Sequence, residues 1–302
     1  MKIGLIGLGK MGANMAQRLL KGGHKVVGFD RDQQAVKGIV EEGNEGANSI
    51  DELISKLTAP KVVWIMVPAG KPVDDTIDLL IPKLKSGDIV IDGGNSYYKD
   101  SIRRANKLAE SGISMLDAGV SGGIWGLKEG YSLMVGGEDK PVDYVRPIFE
   151  ALAPGKDKGW GHVGPCGSGH FVKMVHNGIE YGLMEAYAEG FELLKKKAEF
   201  DLDLHQVAEI WRFGSVVRSW LLDLTADALK SDQELTKVAP FVADSGEGRW
   251  TALEAIDLGV SLPVITQSLY ERFSSQDTEE FGGRLLAMMR HEFGGHAVKE
   301  GK

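Results

Sequence analysis

The run Lys2-Ile3-Gly4-Leu5-Ile6-Gly7-Leu8-Gly9-Lys10-Met11-Gly12 decides the fold. Residues 2–6 read as a short β-strand, and Gly7, Gly9 and Gly12 complete the pattern G-x-G-x-x-G. Beyond it Met11, Met15 and Leu19 recur every four residues, as one face of an α-helix does. Strand, glycine turn and helix in that order form a dinucleotide-binding unit. Gly7 permits the tight turn, Gly9 lets the backbone approach a pyrophosphate, and Gly12 allows close helix–strand packing. The helix N-terminus offers free N–H groups and the positive end of its dipole to the phosphates. A second β-rich run, 25–30, ends at Asp30, eighteen residues after Gly12. A carboxylate there accepts hydrogen bonds from the ribose hydroxyls and repels a 2′-phosphate, which favours NAD over NADP. Arg31 pulls the other way, because an adjacent guanidinium can pair with a 2′-phosphate. The simpler alternative is a glycine turn beside a solvated acid; the complete order of strand, turn, helix and acid argues against it.

Outward from this unit the chain keeps alternating. Further β-rich runs fall at 61–67, 88–92, 113–117 and 131–135, with helix-length segments such as 11–21 and 72–85 between most of them. Pro72 suits a first helical turn, where a missing N–H is harmless. Alternation of this kind implies βαβ units and a largely parallel sheet. Strand signals stop near residue 166. From there 169–197, 204–213, 216–229, 250–258, 264–274 and 279–291 read as helices. The expected architecture is an α/β doubly wound, Rossmann-like sheet over residues 1–166, followed by an all-α domain over 167–302.

Composition narrows the function. The 302 residues carry a formal net charge of −8, which argues against a nucleic-acid partner, since phosphate backbones favour basic surfaces. A small anionic substrate needs only a local cluster of Arg and Lys. The chain has one cysteine, Cys166, so neither an intrachain disulfide nor a Cys-based zinc site is open to it, and a reducing, cytoplasmic setting fits. The longest apolar run, 62–67, is far below the ~20 residues of a membrane span, and the N-terminus lacks the apolar stretch of a signal peptide. No membrane association and no metal are expected.

The most informative stretch is GHFVKMVHNGIEYG, residues 169–182. At ~100° per residue, Lys173, His176, Asn177, Glu180 and Tyr181 fall on one side of a helix. Phe171, Met174, Val175 and Ile179 point elsewhere and can pack into a core. Ionisable groups on a helix surrounded by apolar residues are costly unless they line a cavity. A solvated salt-bridging face is the plain alternative, but a Lys and a Glu two turns apart are too distant for the usual surface bridge. An amine that loses its proton on burial can act as a general base, and a carboxylic acid two turns away completes an acid–base pair.

Two glycine-rich loops follow strands: Asp92-Gly93-Gly94-Asn95-Ser96 and Val120-Ser121-Gly122-Gly123. In open α/β sheets ligands bind beyond the carboxyl ends of the strands. Glycine pairs there let backbone N–H groups reach a carboxylate or oxyanion, and Asn95 and Ser121 can add side-chain hydrogen bonds. Each is equally a plain turn when taken alone. Trp125 and Tyr131 read as packing residues. Arg249, Arg272, Arg290 and His296 lie in the second half, and a phosphorylated substrate needs such groups.

With these residues in hand, the chain resembles the 6-phosphogluconate dehydrogenases along nearly its full length. GLGKMGANMA (7–16), DGGNS (92–96), VSGG (120–123) and above all GHFVKMVHNGIEYG carry the likeness. The short second half looks like the abbreviated form of the family. The resemblance implies oxidative decarboxylation of 6-phosphogluconate to ribulose 5-phosphate and carbon dioxide, a step of the pentose phosphate pathway. It implies Lys173 as general base and Glu180 as general acid. Ser121, Gly122 and Gly123 would hold the region of the substrate carboxylate, while Asn95, His176 and Asn177 bind sugar-acid oxygens. Tyr181 and Arg272 would reach the phosphate. Gly248-Arg249-Trp250-Thr251 looks like the family's Gly-Lys-Trp-Thr phosphate loop, with Arg249 in place of Lys, which keeps the charge and changes the geometry. Arg290 and His296 match a C-terminal tail that in the family reaches into the neighbouring subunit, so a homodimer or a dimer of dimers is implied. The cofactor set is Gly7, Leu8, Gly9, Lys10, Met11, Gly12, Asp30, Arg31, Pro68 and Asn95; Asp30 departs from the Asn-Arg-Thr of NADP-dependent members. Two other readings share parts of this pattern. A 3-hydroxyacid dehydrogenase of the 3-hydroxyisobutyrate type would share the glycine loop and the lysine. A non-catalytic dinucleotide sensor would need neither base nor acid.

Overall fold

The structure, a computed structural model, describes residues 1–299. Among them eight strands form one sheet: β1 (Lys2–Ile6), β2 (Lys25–Phe29), β3 (Glu45–Gly46), β4 (Val62–Ile65), β5 (Ile89–Asp92), β6 (Ser114–Ser121), β7 (Ser132–Gly136) and β8 (Trp160–Gly164). Their spatial order is β3-β2-β1-β4-β5-β6-β7-β8. Neighbours are parallel except β6 and β7, whose antiparallel register pairs Asp117 with Gly136, Gly119 with Met134 and Ser121 with Ser132. The order reverses direction at β1, where the chain steps over to β4, and this is the switch point at which open α/β sheets bind ligands.

Seven helices lie between or beside these strands: α1 (Lys10–Lys21), α2 (Gln33–Glu41), α3 (Ile50–Ser55), α4 (Lys71–Leu80), α5 (Tyr98–Ala109), α6 (Gly126–Glu129) and α7 (Asp139–Leu152). The period-two alternation of the strands sends neighbouring side chains into separate cores. Val62 and Trp64 of β4 join Met15 and Leu19 of α1 and Phe149 of α7 on one face. Val63 and Ile65 join Leu53 of α3, Ile77 of α4 and Leu108 of α5 on the other. Because both faces are covered, the strands are apolar along their length. Trp64 and Phe149 meet edge to face, 6.0 Å between centroids, and are fully buried. Burial of one such aliphatic or phenyl side chain contributes about 1.5–3 kcal/mol.

The remaining helices are α8 (Ser168–Lys196), α9 (Leu204–Arg212), α10 (Trp220–Ser231), α11 (Glu247–Leu258), α12 (Pro263–Gln276) and α13 (Phe281–Gly294). The chain divides into two compact units, Met1–Asn177 and the part from Gly178 onward, so α8 starts in the first and ends in the second. In the second unit Phe191 of α8 packs with Leu204 and Ala208 of α9 and with Leu222, Ala226 and Leu229 of α10.

The expected fold class, a Rossmann-like sheet followed by helices, holds, with differences in detail. β3 and β8 escape the sequence pattern because one has only two residues and the other, Trp160-Gly161-His162-Val163-Gly164, carries little apolar signal. β6 runs on to Ser121, four residues past its expected end at 117, because pairing with β7 continues the ladder. The helix expected from 216 starts at Trp220: Ser219 caps it by accepting from the Leu222 N–H, and Val216 is 99% exposed. The helix expected from 279 starts at Phe281, because the Asp277 carboxylate turns the chain by accepting from the N–H groups of Glu279 and Glu280. Ile179 was expected in a core and is 53% exposed; Trp125, expected to pack, is 45% exposed at the tip of the segment after β6.

Candidate active site

In the first unit the glycine loop leaves β1 in a conformation that explains two of its glycines. Gly7 has φ +97°, and a Cβ there would lie 2.3 Å from the Met66 carbonyl oxygen. A Cβ on Gly12 would lie 2.1 Å from the Gly7 carbonyl oxygen, so α1 approaches the turn more closely than any side chain permits. Over Gly9 there is open space, with nothing within 4 Å. No side chain caps α1, so its first-turn amides remain available to an anion. Asp30, just beyond β2, accepts hydrogen bonds from the Leu8 N–H (2.6 Å) and the Asp32 N–H (2.8 Å), tying the acid to the loop. Leu8 is buried and Met11 half-buried, while Lys10, Arg31, Pro68 and Asn95 are exposed.

Lys173 lies in the second turn of α8 with 8% of its surface exposed. Its ammonium nitrogen is 2.5 Å from Asn177 Oδ1 and 3.5 Å from His176 Nδ1. His176 Nδ1 is 3.0 Å from the same Asn177 oxygen, and its Nε2 is 3.5 Å from the Ser121 hydroxyl. Four of the residues singled out in the sequence, Ser121, Lys173, His176 and Asn177, therefore form one polar cluster. Gly122, with φ +124°, and Gly123, with φ +50°, turn the chain directly after Ser121.

The seat of the lysine depends on residues that sequence reasoning missed. Asp117 of β6 is fully buried, and its carboxylate accepts from the backbone N–H groups of Gly167 (2.6 Å) and His170 (2.7 Å), capping α8 from a neighbouring strand. Gly119 lies beneath the lysine stem: a Cβ there would be 2.4 Å from Lys173 Cβ and 2.8 Å from the Gly169 carbonyl oxygen. The signal was a polar or small residue at every second position, Asp117, Gly119 and Ser121, inside an otherwise apolar strand. Cys166 is held protonated, its thiol pushed up by burial and then by the nearby Asp117 charge.

In the second unit Glu180 stands half-buried on α8, seven positions after Lys173, and Tyr181 follows with 5% exposure. The Tyr181 hydroxyl donates to Ser245 Oγ (3.0 Å), whose own hydroxyl donates to Glu247 (2.6 Å). The Arg272 guanidinium lies 3.5 Å from the centre of the Tyr181 ring and donates to the Ala243 carbonyl (2.8 Å). Arg249 pairs with Asp244 and lies 4.6 Å from the Phe273 ring centre. Gly178 and Gly248 admit these neighbours: a Cβ on Gly178 would lie 3.0 Å from Thr251 Cγ2, and one on Gly248 2.6 Å from the Tyr181 ring. Tyr181, Arg249 and Arg272 are thus brought together around α11 and α12. Arg290 on α13 and His296 beyond its end are exposed, the latter accepting at its carbonyl oxygen from His291 Nδ1 (2.9 Å).

The glycine turn, the uncapped helix start and the carboxylate tied to the loop define the class of the molecule, a Rossmann-type dinucleotide-binding protein. Residues 2–164 match the family model described as the NAD binding domain of 6-phosphogluconate dehydrogenase, and residues 169–297 match the model for its C-terminal domain. An NAD-dependent, decarboxylating 6-phosphogluconate dehydrogenase of Haloferax volcanii is 47% identical over 99% of this chain and 98% of its own length. An NADP-dependent, decarboxylating one of Bacillus subtilis is 41% identical over 92% of this chain and 62% of its own length. The structure of 6-phosphogluconate dehydrogenase from Plasmodium falciparum, studied with NADP and with 6-phosphogluconate, superposes with a TM-score of 0.84 at 31% identity, covering 100% of this chain and 67% of that one. The chain belongs to the 6-phosphogluconate dehydrogenase family.

Proposed function

We propose that the protein oxidises 6-phospho-D-gluconate to D-ribulose 5-phosphate and carbon dioxide, with NAD as the preferred acceptor. The observation that carries this is Lys173: an amine with 8% exposure, held by Asn177 and His176 beside Ser121, with Glu180 two turns further along the same helix. The residues fit the cofactor. The glycine loop and the α1 N-terminus would hold the pyrophosphate, Asp30 the adenosine ribose, and Pro68 and Asn95 the far end. When bound, the nicotinamide would supply the acceptor for the hydride that leaves C3 of the sugar acid. Lys173, neutral at the start, removes the C3 hydroxyl proton. Once protonated it polarises the new C3 carbonyl, which lets the C1 carboxylate leave as carbon dioxide. As the carboxylate leaves, Lys173 returns its proton to the C3 oxygen, giving the enediol. Glu180 then delivers a proton to the carbon that was C2 of the sugar acid while Lys173 takes the hydroxyl proton back, leaving the ketone of ribulose 5-phosphate. Ser121, Gly122 and Gly123 orient the carboxylate; Asn95, His176 and Asn177 hold hydroxyls; Tyr181, Arg249 and Arg272 receive the phosphate. No step is assigned to a metal.

In this scheme every cofactor-binding residue lies before the division at 166/167, whereas the substrate is held from both sides of it, by Asn95, Ser121, Gly122 and Gly123 before it and by His176, Asn177, Tyr181, Arg249 and Arg272 after it. The apolar residues that α13 exposes, among them Phe281 at 67% and Leu286 at 61%, support a homodimer, or a dimer of dimers, in which Arg290 and His296 complete a neighbour's site. A cytoplasmic place in the pentose phosphate pathway is part of the same proposal. Among the described residues no helix is long and apolar enough to cross a membrane.

Purified protein should reduce NAD faster than NADP with 6-phosphogluconate and release one carbon dioxide per hydride, and it should release none with 3-hydroxyisobutyrate. Lys173→Ala and Glu180→Ala should each lose about 10²–10⁴-fold in kcat while binding NADH as wild type does. Wild-type turnover in either variant removes the role given to that residue.

A further inference from the structure

Arg104, on α5, takes no part in the proposed chemistry, yet its side chain is 1% exposed and reaches four acceptors on two stretches of chain, one running from the loop after β4 into α4 and one from the end of β5 into the loop that follows it. Its Nε donates to Asp74 Oδ1 (2.8 Å) in the first turn of α4, and one terminal nitrogen donates to the Gly70 carbonyl (3.0 Å). The other terminal nitrogen donates to Asp92 Oδ2 (3.3 Å) at the end of β5 and to Ser96 Oγ (3.2 Å). Asp92 is fully buried and also accepts from the Ser96 hydroxyl (2.7 Å) and the Gly94 N–H (3.1 Å). The two loops touch: a Cβ on Gly94 would lie 3.0 Å from the Val67 carbonyl oxygen. Pro68 stands on one of these loops and Asn95 on the other, both exposed above the buried hub.

The sheet order says which part of the dinucleotide meets them. Asp30 marks the adenosine ribose at β2 and α1 marks the pyrophosphate at β1, so the cofactor running along the sheet edge reaches β4 and β5 with its nicotinamide half. We propose that Arg104 is a positioning residue for the nicotinamide end of the cofactor, its planar fork fixing the Pro68 loop against the Asn95 loop. A lysine keeps the charge but, as a compact ammonium with three donors, cannot span the same set of acceptors. This assignment rests on the dinucleotide reading given above.

The test compares two probes that share the adenosine diphosphate ribose part and differ in the nicotinamide. ADP-ribose and NADH are titrated against wild type, Arg104→Lys and Ser96→Ala, the last removing one partner of the hub and protecting the test if Arg104→Lys fails to fold. The expected result for Arg104→Lys is ADP-ribose affinity within about twofold of wild type, NADH affinity about tenfold weaker, and kcat falling more than the KM for 6-phosphogluconate rises. Ser96→Ala should show the same pattern, smaller. Equal weakening of both probes, or of neither, overturns the assignment and leaves the cofactor reading intact. Failure of wild type to bind either probe overturns both.

Discussion

Under the proposed roles, the lysine seat of the first unit and the arginine group of the second meet opposite demands. Lys173 is held from the strand beneath and from its own helix: Asp117 caps the helix, Gly119 admits the stem, and Asn177, one turn on, accepts from the amine. Around Tyr181 the charged groups rest on the protein itself, Arg249 on Asp244 and Arg272 on an aromatic ring and a carbonyl. An acid–base group has to be held to a fraction of an ångström before substrate arrives. A phosphate clamp has only to be near, because long guanidinium side chains can exchange an internal partner for a phosphate oxygen.

That contrast can be broken most forcefully at Gly119. Gly119→Val should push α8 away from β6, costing about 1–3 kcal/mol of stability through overpacking. A displacement of Lys173 near 1 Å should lower kcat about 10²-fold. Thermal unfolding read beside single-turnover hydride transfer separates the two effects, and an unchanged kcat would show that the lysine tolerates a loose seat. A smaller effect is expected from the second unit. Arg272→Ala should raise the KM for 6-phosphogluconate about 10- to 100-fold, the worth of a charged hydrogen bond, and leave NADH affinity alone. A kcat loss larger than the KM change would mean that this region, too, is held for the chemical step.

The smallest effect expected is one of pH, and it sharpens the picture of the fixed first unit. Burial raises the Asp74 carboxyl, but hydrogen bonds and charge from Arg104 and Arg103 outweigh it and hold the group below the ordinary carboxylate range. A depressed folded value stabilises the fold above the ordinary carboxylate value of about 4 and ceases to do so as pH falls through the lowered one. Asp74→Asn should therefore be less stable than wild type at pH 7, with the gap closing on acidification. Melting temperatures of the two proteins measured from pH 7 to pH 3 check it; a gap independent of pH would show that the carboxylate's charge is irrelevant to the hub.

What the sequence made legible was local. The glycine loop is read within eleven consecutive residues, and the stripe from Lys173 to Tyr181 within nine, because a turn and a helix face are each defined by near neighbours. The supports of those features are distant in the chain. Asp117 lies 50 residues before the Gly167 amide it accepts from, and Arg104 lies 34 residues after the Gly70 carbonyl it binds. No spacing rule links such pairs. Apolar residues also mislead in one direction: Ile179 and Trp125 look like core and stand exposed, since hydrophobicity says that a side chain prefers cover without saying which surface supplies it.

The hairpin of β6 and β7 has a consequence for how the molecule can vary. Asp117, Gly119 and Ser121 share a face only because the strand alternates, and the pairing with β7 sets which face that is. A slip of a single residue would present Ala118 and Val120 instead, removing the helix anchor, the space under the lysine and the hydroxyl beside His176 in one event. Insertions and deletions within this strand are therefore excluded as a block.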